Sequence, residues 1–202
     1  PPDMQPAPDQ TRVEMWTMPD GQTPQRVIYR TGVLSPLNGS STSGALSLLS
    51  SIPANAAHVV GESTLKMSSV SVIGSGLNSG GATGPFLKGE IVGMTPHAHA
   101  WATRMLASLT PSGAAESCLI DVPDWDYNWQ LDYLFSSGVP YGPDDLLHVE
   151  CDYDNTADNQ PVINGQRRPV QAISFGENTL NEMCLHYLWL RFAYADFHAA
   201  NP

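Results

Sequence analysis

The sequence predicts an all-β protein, an antiparallel β-sandwich of jelly-roll type formed by one domain with an N-terminal connector. Short apolar segments recur along the chain and are separated by turns such as Pro111-Ser112-Gly113, a spacing typical of sandwiches. Some segments alternate polar and apolar residues, as Ser63 to Met67 do, which is the period of a half-buried strand. Hydrophobic residues make up 42% of the 202, which is enough for a sizeable core.

The predicted strands become clearest in the second half of the chain. We expect them at 86–94, 101–109, 118–122, 125–135 and 146–153, and a last apolar segment at 181–194 fits a strand or a helix. The domain organisation follows from this distribution. It is predicted as a linker or the end of a preceding domain at 1–40, the sandwich at 41–195 and a tail at 196–202.

Composition and charge exclude several classes of partner. Charged residues are 14% of the chain and the formal net charge is -11, whereas nucleic-acid binding needs clustered Lys and Arg. The sequence contains no run of about 18 or more apolar residues, which is the length needed to span a bilayer. Low charge with many Ser, Thr, Asn, Gly and Pro is typical of an exported β protein, so we expect a secreted or periplasmic location.

The histidine pair His97 and His99 is a candidate metal site. Alternate residues of a strand share one face and lie about 7 Å apart along the backbone, so both imidazoles could reach one ion at roughly 2 Å. This spacing alone is a weak signal, because two partly exposed strand histidines also explain it. Met183 alone is likewise better explained as a core methionine that fills a gap.

Four motifs occur in order between about residue 52 and residue 192: PHAHA at 96–100, WDYNWQ at 125–130, CDYDNTADN at 151–159 and NEMC at 181–184. Together they resemble the C-terminal domain of the copper type II, ascorbate-dependent monooxygenases, the peptidylglycine and dopamine monooxygenase family, and are most similar to its bacterial members. The resemblance implies that His97, His99 and Met183 bind one copper ion. A thioether favours Cu(I), and imidazole serves both Cu(I) and Cu(II), so this set suits copper.

The resemblance also implies an activity and partners. The domain would hold the oxygen- and substrate-side copper of an enzyme that hydroxylates a C–H bond in a small organic or peptide-like substrate, with ascorbate as the reductant. The family's hydroxylases carry a second, all-His copper in an N-terminal domain of the same protein. Without such a domain, the alternative function is a non-catalytic copper-binding or structural β-sandwich module.

Three further residues take their expected roles from the same resemblance. It implies a disulfide between Cys151 and Cys184, which leaves Cys118 free, and we expect Cys118 to be buried in a strand. Tyr187 shares strand parity with Met183 and is a candidate for the substrate side, although a half-buried strand tyrosine is an equal alternative. The arginine that peptide-hydroxylating members place two residues before the HxH is Thr95 here.

Three other features have ordinary explanations beside functional ones. The aromatic residues Trp125, Tyr127 and Trp129 could bind a sugar or an aromatic substrate, but a core position for Trp125 and Trp129 is favoured. The oxygen-rich residues at 152–159 could bind calcium, but Asx turns explain them at least as well. His186 has the opposite strand parity from Met183, so we expect it outside the copper site.

Overall fold

The structure, a computed structural model, describes residues 12, 14–15, 17–42, 50–70, 88–163 and 165–193. In these ranges the chain forms strands and one 3₁₀ turn, Met67–Ser69, and no α-helix. The strands are β1 (Arg26–Leu34), β2 (Gly39–Ser41), β3 (Ser51–Ile52), β4 (Val59–Lys66), β5 (Gly89–His97), β6 (Ala102–Thr110), β7 (Ser117–Val122), β8 (Tyr133–Tyr141), β9 (Leu146–Tyr153), β10 (Val162–Ile163), β11 (Gln166–Arg167), β12 (Ile173–Ser174) and β13 (Leu185–Ala193).

Two larger sheets form the sandwich, which confirms the predicted all-β fold. The first sheet has the order β1-β13-β5-β8 and is antiparallel throughout. The second has the order β2-β4-β9-β6-β7 and is antiparallel except for the parallel pair β2 and β4. Two short pairs, β10 with β11 and β12 with β3, complete the strand pairing. Among the described residues, no helix is both long and apolar enough to cross a membrane.

The first strand lies within the range 1–40 that was predicted as a connector. β1 pairs with β13 along its whole length, from Arg26 opposite Ala193 to Leu34 opposite Leu185. This part of the range therefore belongs to the sandwich. The remaining domain boundaries stay a prediction, and the tail at 196–202 lies outside the described residues.

The core lies between the two sheets and follows from the alternation of residues along their strands. Met94 and Leu188 extend inward from the first sheet, and Leu109, Leu147 and Val149 extend inward from the second. All five are 0% exposed, and burying each such side chain stabilises the fold by about 1.5–3 kcal/mol. A second cluster of buried residues surrounds Trp101, Tyr153 and the two cysteines Cys151 and Cys184.

The predicted strand at 125–135 is wrong in its first half. Residues 125–132 form turns and irregular backbone, and β8 begins at Tyr133. The cause is an Asx turn, in which the Asn128 N–H donates to Asp126 Oδ1 at 2.8 Å. As a result Trp129 is 69% exposed, against the prediction that it is in the core, whereas Trp125 packs against the second core cluster.

Two other expectations are settled by the outer parts of the second sheet. Cys118 is free as expected, but it is exposed rather than buried, because β7 is an edge strand. The oxygen-rich segment at 152–159 forms hydrogen bonds within the protein. Asp154 Oδ1 accepts the Thr156 N–H at 2.8 Å in an Asx turn, and the buried Asn155 amide donates to the carbonyl oxygens of Pro53 and Gln171.

Candidate metal centre

The two histidines of the HxH motif lie beside each other at the end of the first sheet. His97 is the last residue of β5, and His99 lies two residues beyond the strand. Their ring centroids are 5.3 Å apart and the rings are nearly perpendicular, at 84°. Strand alternation accounts for the direction of His97 alone, so the position of His99 depends on contacts with other segments.

The protonation of the His97 ring is determined by its hydrogen bond to Gln130. The Gln130 Nε2 group donates to the Tyr127 carbonyl oxygen at 2.9 Å, which turns the amide oxygen Oε1 toward the histidine. Since an amide oxygen accepts, His97 Nδ1–H donates to it, at 2.6 Å. The Nε2 atom of His97 then carries the lone pair that a metal ion requires.

The same reasoning applies to His99 with a different acceptor. Its Nδ1 lies 2.9 Å from the carbonyl oxygen of Asn181, and a carbonyl can only accept. His99 is 4% exposed, and the edge of its ring contacts Tyr127 at a centroid distance of 5.8 Å. Both rings thus donate from Nδ1, which leaves Nε2 as the nitrogen that could bind a metal ion. Burial lowers the pKa of His97, which favours the neutral form of that ring.

Residues 98–101, between β5 and β6, form a loop that carries His99, here called the histidine loop. The carboxylate of Glu182 joins this loop to the segment that carries Met183. Its Oε1 accepts the backbone N–H groups of both His99 and Met183, the latter at 2.9 Å, and its Oε2 accepts the Trp101 N–H at 3.0 Å. Glu182 is 0% exposed. Burial raises the pKa of Glu182 to about 7, whereas the hydrogen bonds from the backbone act to lower it.

The backbone around Met183 also has contacts on the C-terminal side of its N–H group. The Tyr153 hydroxyl donates to the Met183 carbonyl oxygen at 3.2 Å, and the Ser35 N–H donates to the carbonyl oxygen of Cys184 at 2.9 Å. The predicted disulfide between Cys151 and Cys184 is confirmed, and it links β9 to the residue that follows Met183. Met183 is half-buried and lies in irregular backbone just before β13.

Each residue of the NEMC motif therefore has a separate structural contact. The Asn181 carbonyl orients the ring of His99, the Glu182 carboxylate ties two segments together, and Cys184 forms the disulfide. Met183 supplies a thioether on a backbone fixed at both its N–H and its carbonyl. These contacts fix the segment at four consecutive positions.

Tyr187 lies on the same sheet face as His97. It pairs with Thr95 on β5, and Thr95 and His97 are alternate residues of that strand. The Arg30 guanidinium stacks 3.9 Å from the centroid of the Tyr187 ring, so a cation is present beside this tyrosine. Thr95 itself donates to Asp132 and accepts the Trp189 indole N–H at 3.0 Å.

A cavity of about 880 Å³ adjoins the histidine loop. Tyr127, whose ring contacts His99, lines it together with Ala100 and Trp125. Its remaining wall is mixed, with apolar residues such as Pro161 beside the carboxylates of Asp124 and Asp158. The Trp125 indole N–H donates to the His99 carbonyl oxygen at 3.2 Å and so connects this wall to the histidine.

Comparison with known protein families and with curated proteins found no match to this chain. The family resemblance therefore remains a prediction that rests on the four motifs.

Sequence reasoning identified the candidate ligands but missed the residues that orient them. Gln130 and Glu182 act on residues 33 and 83 positions away, a separation that no local pattern reveals. One signal was present for Glu182. A carboxylate directly before Met183, within the apolar segment predicted at 181–194, requires partners for its oxygens.

Proposed function

We propose that this chain is the oxygen- and substrate-side domain of a copper monooxygenase, with His97, His99 and Met183 as the copper ligands. The observation that carries the proposal is the orientation of the two imidazoles. Each ring donates Nδ1–H to a protein oxygen and leaves Nε2 as the ligand atom, as metal-binding histidines do. The backbone N–H groups of His99 and Met183 both donate to Glu182 Oε1, which brings the segment of the third proposed ligand close to the backbone of His99.

The ligand set favours copper over other common ions. A thioether is a soft ligand that stabilises Cu(I), whereas zinc gains little from it and calcium prefers oxygen. The carboxylate of Glu182, bonded to the backbone of His99 and Met183, would offset the charge of a bound ion. When bound, copper would supply the redox chemistry needed to hydroxylate a C–H bond with dioxygen.

Residues of this chain would bind and orient the substrate. Tyr187 is the candidate on the substrate side, because it shares a sheet face with His97. Arg30, stacked on the Tyr187 ring, would attract a carboxylate of a small organic or peptide-like substrate. Thr95 cannot do so, because it carries no positive charge. The ring of Tyr127, whose edge contacts His99, would exclude water from that side of the histidine.

The proposed activity requires partners outside the site. Ascorbate would supply the electrons, and an N-terminal copper domain of the same protein would transfer them. Since disulfides persist in oxidising compartments, the bond between Cys151 and Cys184 supports a secreted or periplasmic location. The alternative is a copper-binding or structural module without hydroxylase activity.

Titration with Cu(I) in competition with a chelator tests the copper site. We expect wild type to bind one equivalent of Cu(I), and His97→Asn and Met183→Leu to bind it more weakly by about 100-fold or more. Loss of a residue that only hydrogen-bonds to a metal ligand already costs about 10–100-fold in affinity, and loss of the ligand itself should cost more. His58→Asn, at an exposed histidine, and Met105→Leu, at a buried core methionine, are the matched controls. Equal affinity in all five proteins would contradict the proposal.

Oxygen consumption with ascorbate separates the enzyme from the module. The assay uses the full gene product that contains this chain, loaded with copper, together with candidate substrates that carry a carboxylate. Substrate-dependent oxygen uptake that is lost in Met183→Leu supports the monooxygenase. Normal copper binding without such uptake supports the module instead.

A further inference from the structure

An imidazole that is unpartnered within the described part of the chain, that of His186, lies inside the sandwich on the inner face of β13. His186 is 0% exposed, and among the described residues neither of its ring nitrogens has a hydrogen-bond partner. Within the described ranges, the hydroxyl groups of Ser35 and Ser63 are likewise buried without a partner. Buried polar groups are normally satisfied, so this part of the core calls for a physical explanation.

The cystine bridge is the immediate neighbour of His186. One nitrogen of the His186 ring and the sulfur atoms of Cys151 and Cys184 all lie within 4.8 Å of one another. The three residues come from both sheets, since Cys151 is on β9 and His186 is on β13. All three are fully buried. Two sulfur atoms and one imidazole nitrogen at this separation are within reach of one ion bound at about 2.0–2.3 Å.

The unpartnered imidazole is already in the form that a metal ion requires. Burial lowers the pKa of His186 to about 3, so the ring is neutral at physiological pH and one nitrogen has a free lone pair. The Gly61 carbonyl oxygen lies 3.7 Å from Cys184 Sγ and is a candidate for a fourth ligand. The chain therefore holds three or four donors of suitable chemistry around the disulfide.

We propose that reduction of the disulfide converts Cys151, Cys184 and His186 into a buried Zn²⁺ site. A dithiol or phosphine reductant supplies two electrons, the S–S bond breaks, and each sulfur atom takes up one proton. Zn²⁺ then displaces both protons and binds two thiolates and the neutral imidazole. This zinc complex has no net charge, whereas Cu(I) with the same two thiolates would carry one negative charge. A dry protein core favours the neutral complex.

The metal and the disulfide would exclude each other, because both need the same two sulfur atoms. In a chain whose cysteines have not yet been oxidised, the ion would hold β9 against the Met183 segment, as the disulfide later does. This inference does not depend on copper at His97, His99 and Met183. The two sites share no ligand.

Titration of the reduced protein with Co²⁺, a spectroscopic substitute for Zn²⁺, tests the proposal. The background is Cys118→Ser, which removes the exposed third thiol, and the reductant is a phosphine removed before titration. We expect one Co²⁺ per chain with a thiolate charge-transfer band and tetrahedral d–d bands, both lost on adding Zn²⁺. The oxidised protein should show neither band.

Two variants identify the ligands. His186→Phe removes the nitrogen, and we expect its reduced form to bind Co²⁺ more weakly by about tenfold or more and with altered d–d bands. Met183→Leu, which removes the proposed copper ligand, should leave the bands and affinity unchanged. This control keeps a failure of the copper site distinguishable from a failure of the zinc site.

Three results would overturn the proposal. One is a reduced, folded protein that shows no charge-transfer band. Another is an unchanged spectrum and affinity in His186→Phe. The third is a reduced chain that loses its near-ultraviolet circular dichroism and does not regain it on adding Zn²⁺, because the proposed site requires the folded core.

Discussion

The histidines on the two faces of the first sheet have different surroundings. His97, on the outer face, is half-buried and donates from Nδ1 to a glutamine whose amide is itself held in place. His186, on the inner face, is fully buried and has no partner at either nitrogen among the described residues. Ordered acceptors orient an imidazole for a ligand, whereas burial alone keeps it neutral and leaves its polarity unsatisfied.

The segment 181–184 separates these two environments and is fixed from both. Glu182 bonds to the histidine loop, while Cys184 is joined to the core strand β9. The position of Met183 thus depends on one contact of each kind. Variants that remove one residue at a time show how much each contributes to stability or to metal binding. We expect the largest effect from the disulfide and the smallest from the buried His186.

Removal of the disulfide should have the largest effect on stability. With a sequence separation of 33 between the two cysteines, we expect Cys151→Ala/Cys184→Ala to lower the free energy of unfolding by about 4 kcal/mol in the chain-entropy model. Urea denaturation measures the change. Cys118→Ser is the control at a free, exposed cysteine, and it should change stability by less than about 0.5 kcal/mol. Equal effects in the two proteins would show that the bridge does not stabilise the fold.

Loss of the Glu182 carboxylate should have the next largest effect. Glu182→Ala leaves the N–H groups of His99, Trp101 and Met183 buried without an acceptor, and we expect a loss of about 3 kcal/mol, roughly 1 kcal/mol for each. Urea denaturation again gives the value. Glu182→Gln keeps an acceptor oxygen and should lose less. If both variants were as stable as wild type, the carboxylate would not tie the two segments together.

Loss of the Gln130 acceptor should weaken metal binding with little change in stability. Gln130→Leu removes the hydrogen bond that orients His97, and we expect Cu(I) affinity to fall by about 10–100-fold. Competition titration measures it. Gln171→Leu, at an exposed glutamine, is the matched control. An unchanged affinity in Gln130→Leu would remove the argument from imidazole orientation.

Acid should destabilise the inner face through His186. Its pKa is about 3 in the folded protein against 6.5 ordinarily, so between these values the unfolded chain binds a proton that the folded chain does not. Stability therefore falls as the pH drops below about 6.5, by about 1 kcal/mol between pH 7 and pH 5.5 from this residue. The electrostatic effect of His148 also lowers the pKa of His186, in addition to the larger effect of burial.

The variant His186→Phe isolates this contribution. It should show a smaller loss of stability than wild type over the same pH interval, measured by urea denaturation at each pH. Parallel pH profiles for the two proteins would mean that the folded protein protonates His186 readily, in conflict with its burial.

The sequence was sufficient for features whose cause is local. Leu146–Tyr153 was predicted at its observed bounds, because its inward and outward residues alternate without interruption. The segment 125–135 misled, because a run of aromatic residues outweighed the Asp126-x-Asn128 turn signal, and Trp129 is exposed in consequence. Cys118 was expected to be buried because no local pattern shows that β7 is an edge strand.

The candidate site could be predicted only as a set of ligands. Its motifs indicated His97, His99 and Met183, and the disulfide implied by the same resemblance is present. The contacts that orient these residues join positions 30 or more apart, as between His97 and Gln130 or Tyr153 and Met183. Such contacts follow from the packing of the two sheets, which becomes known with the fold.

X-ray absorption spectroscopy of the Cu(I)-loaded protein tests the central claim most directly. The account predicts two imidazole nitrogen scatterers and one sulfur scatterer in wild type, with the sulfur lost in Met183→Leu and retained in Met105→Leu. A spectrum without sulfur in wild type, or with the same sulfur in Met183→Leu, would contradict it.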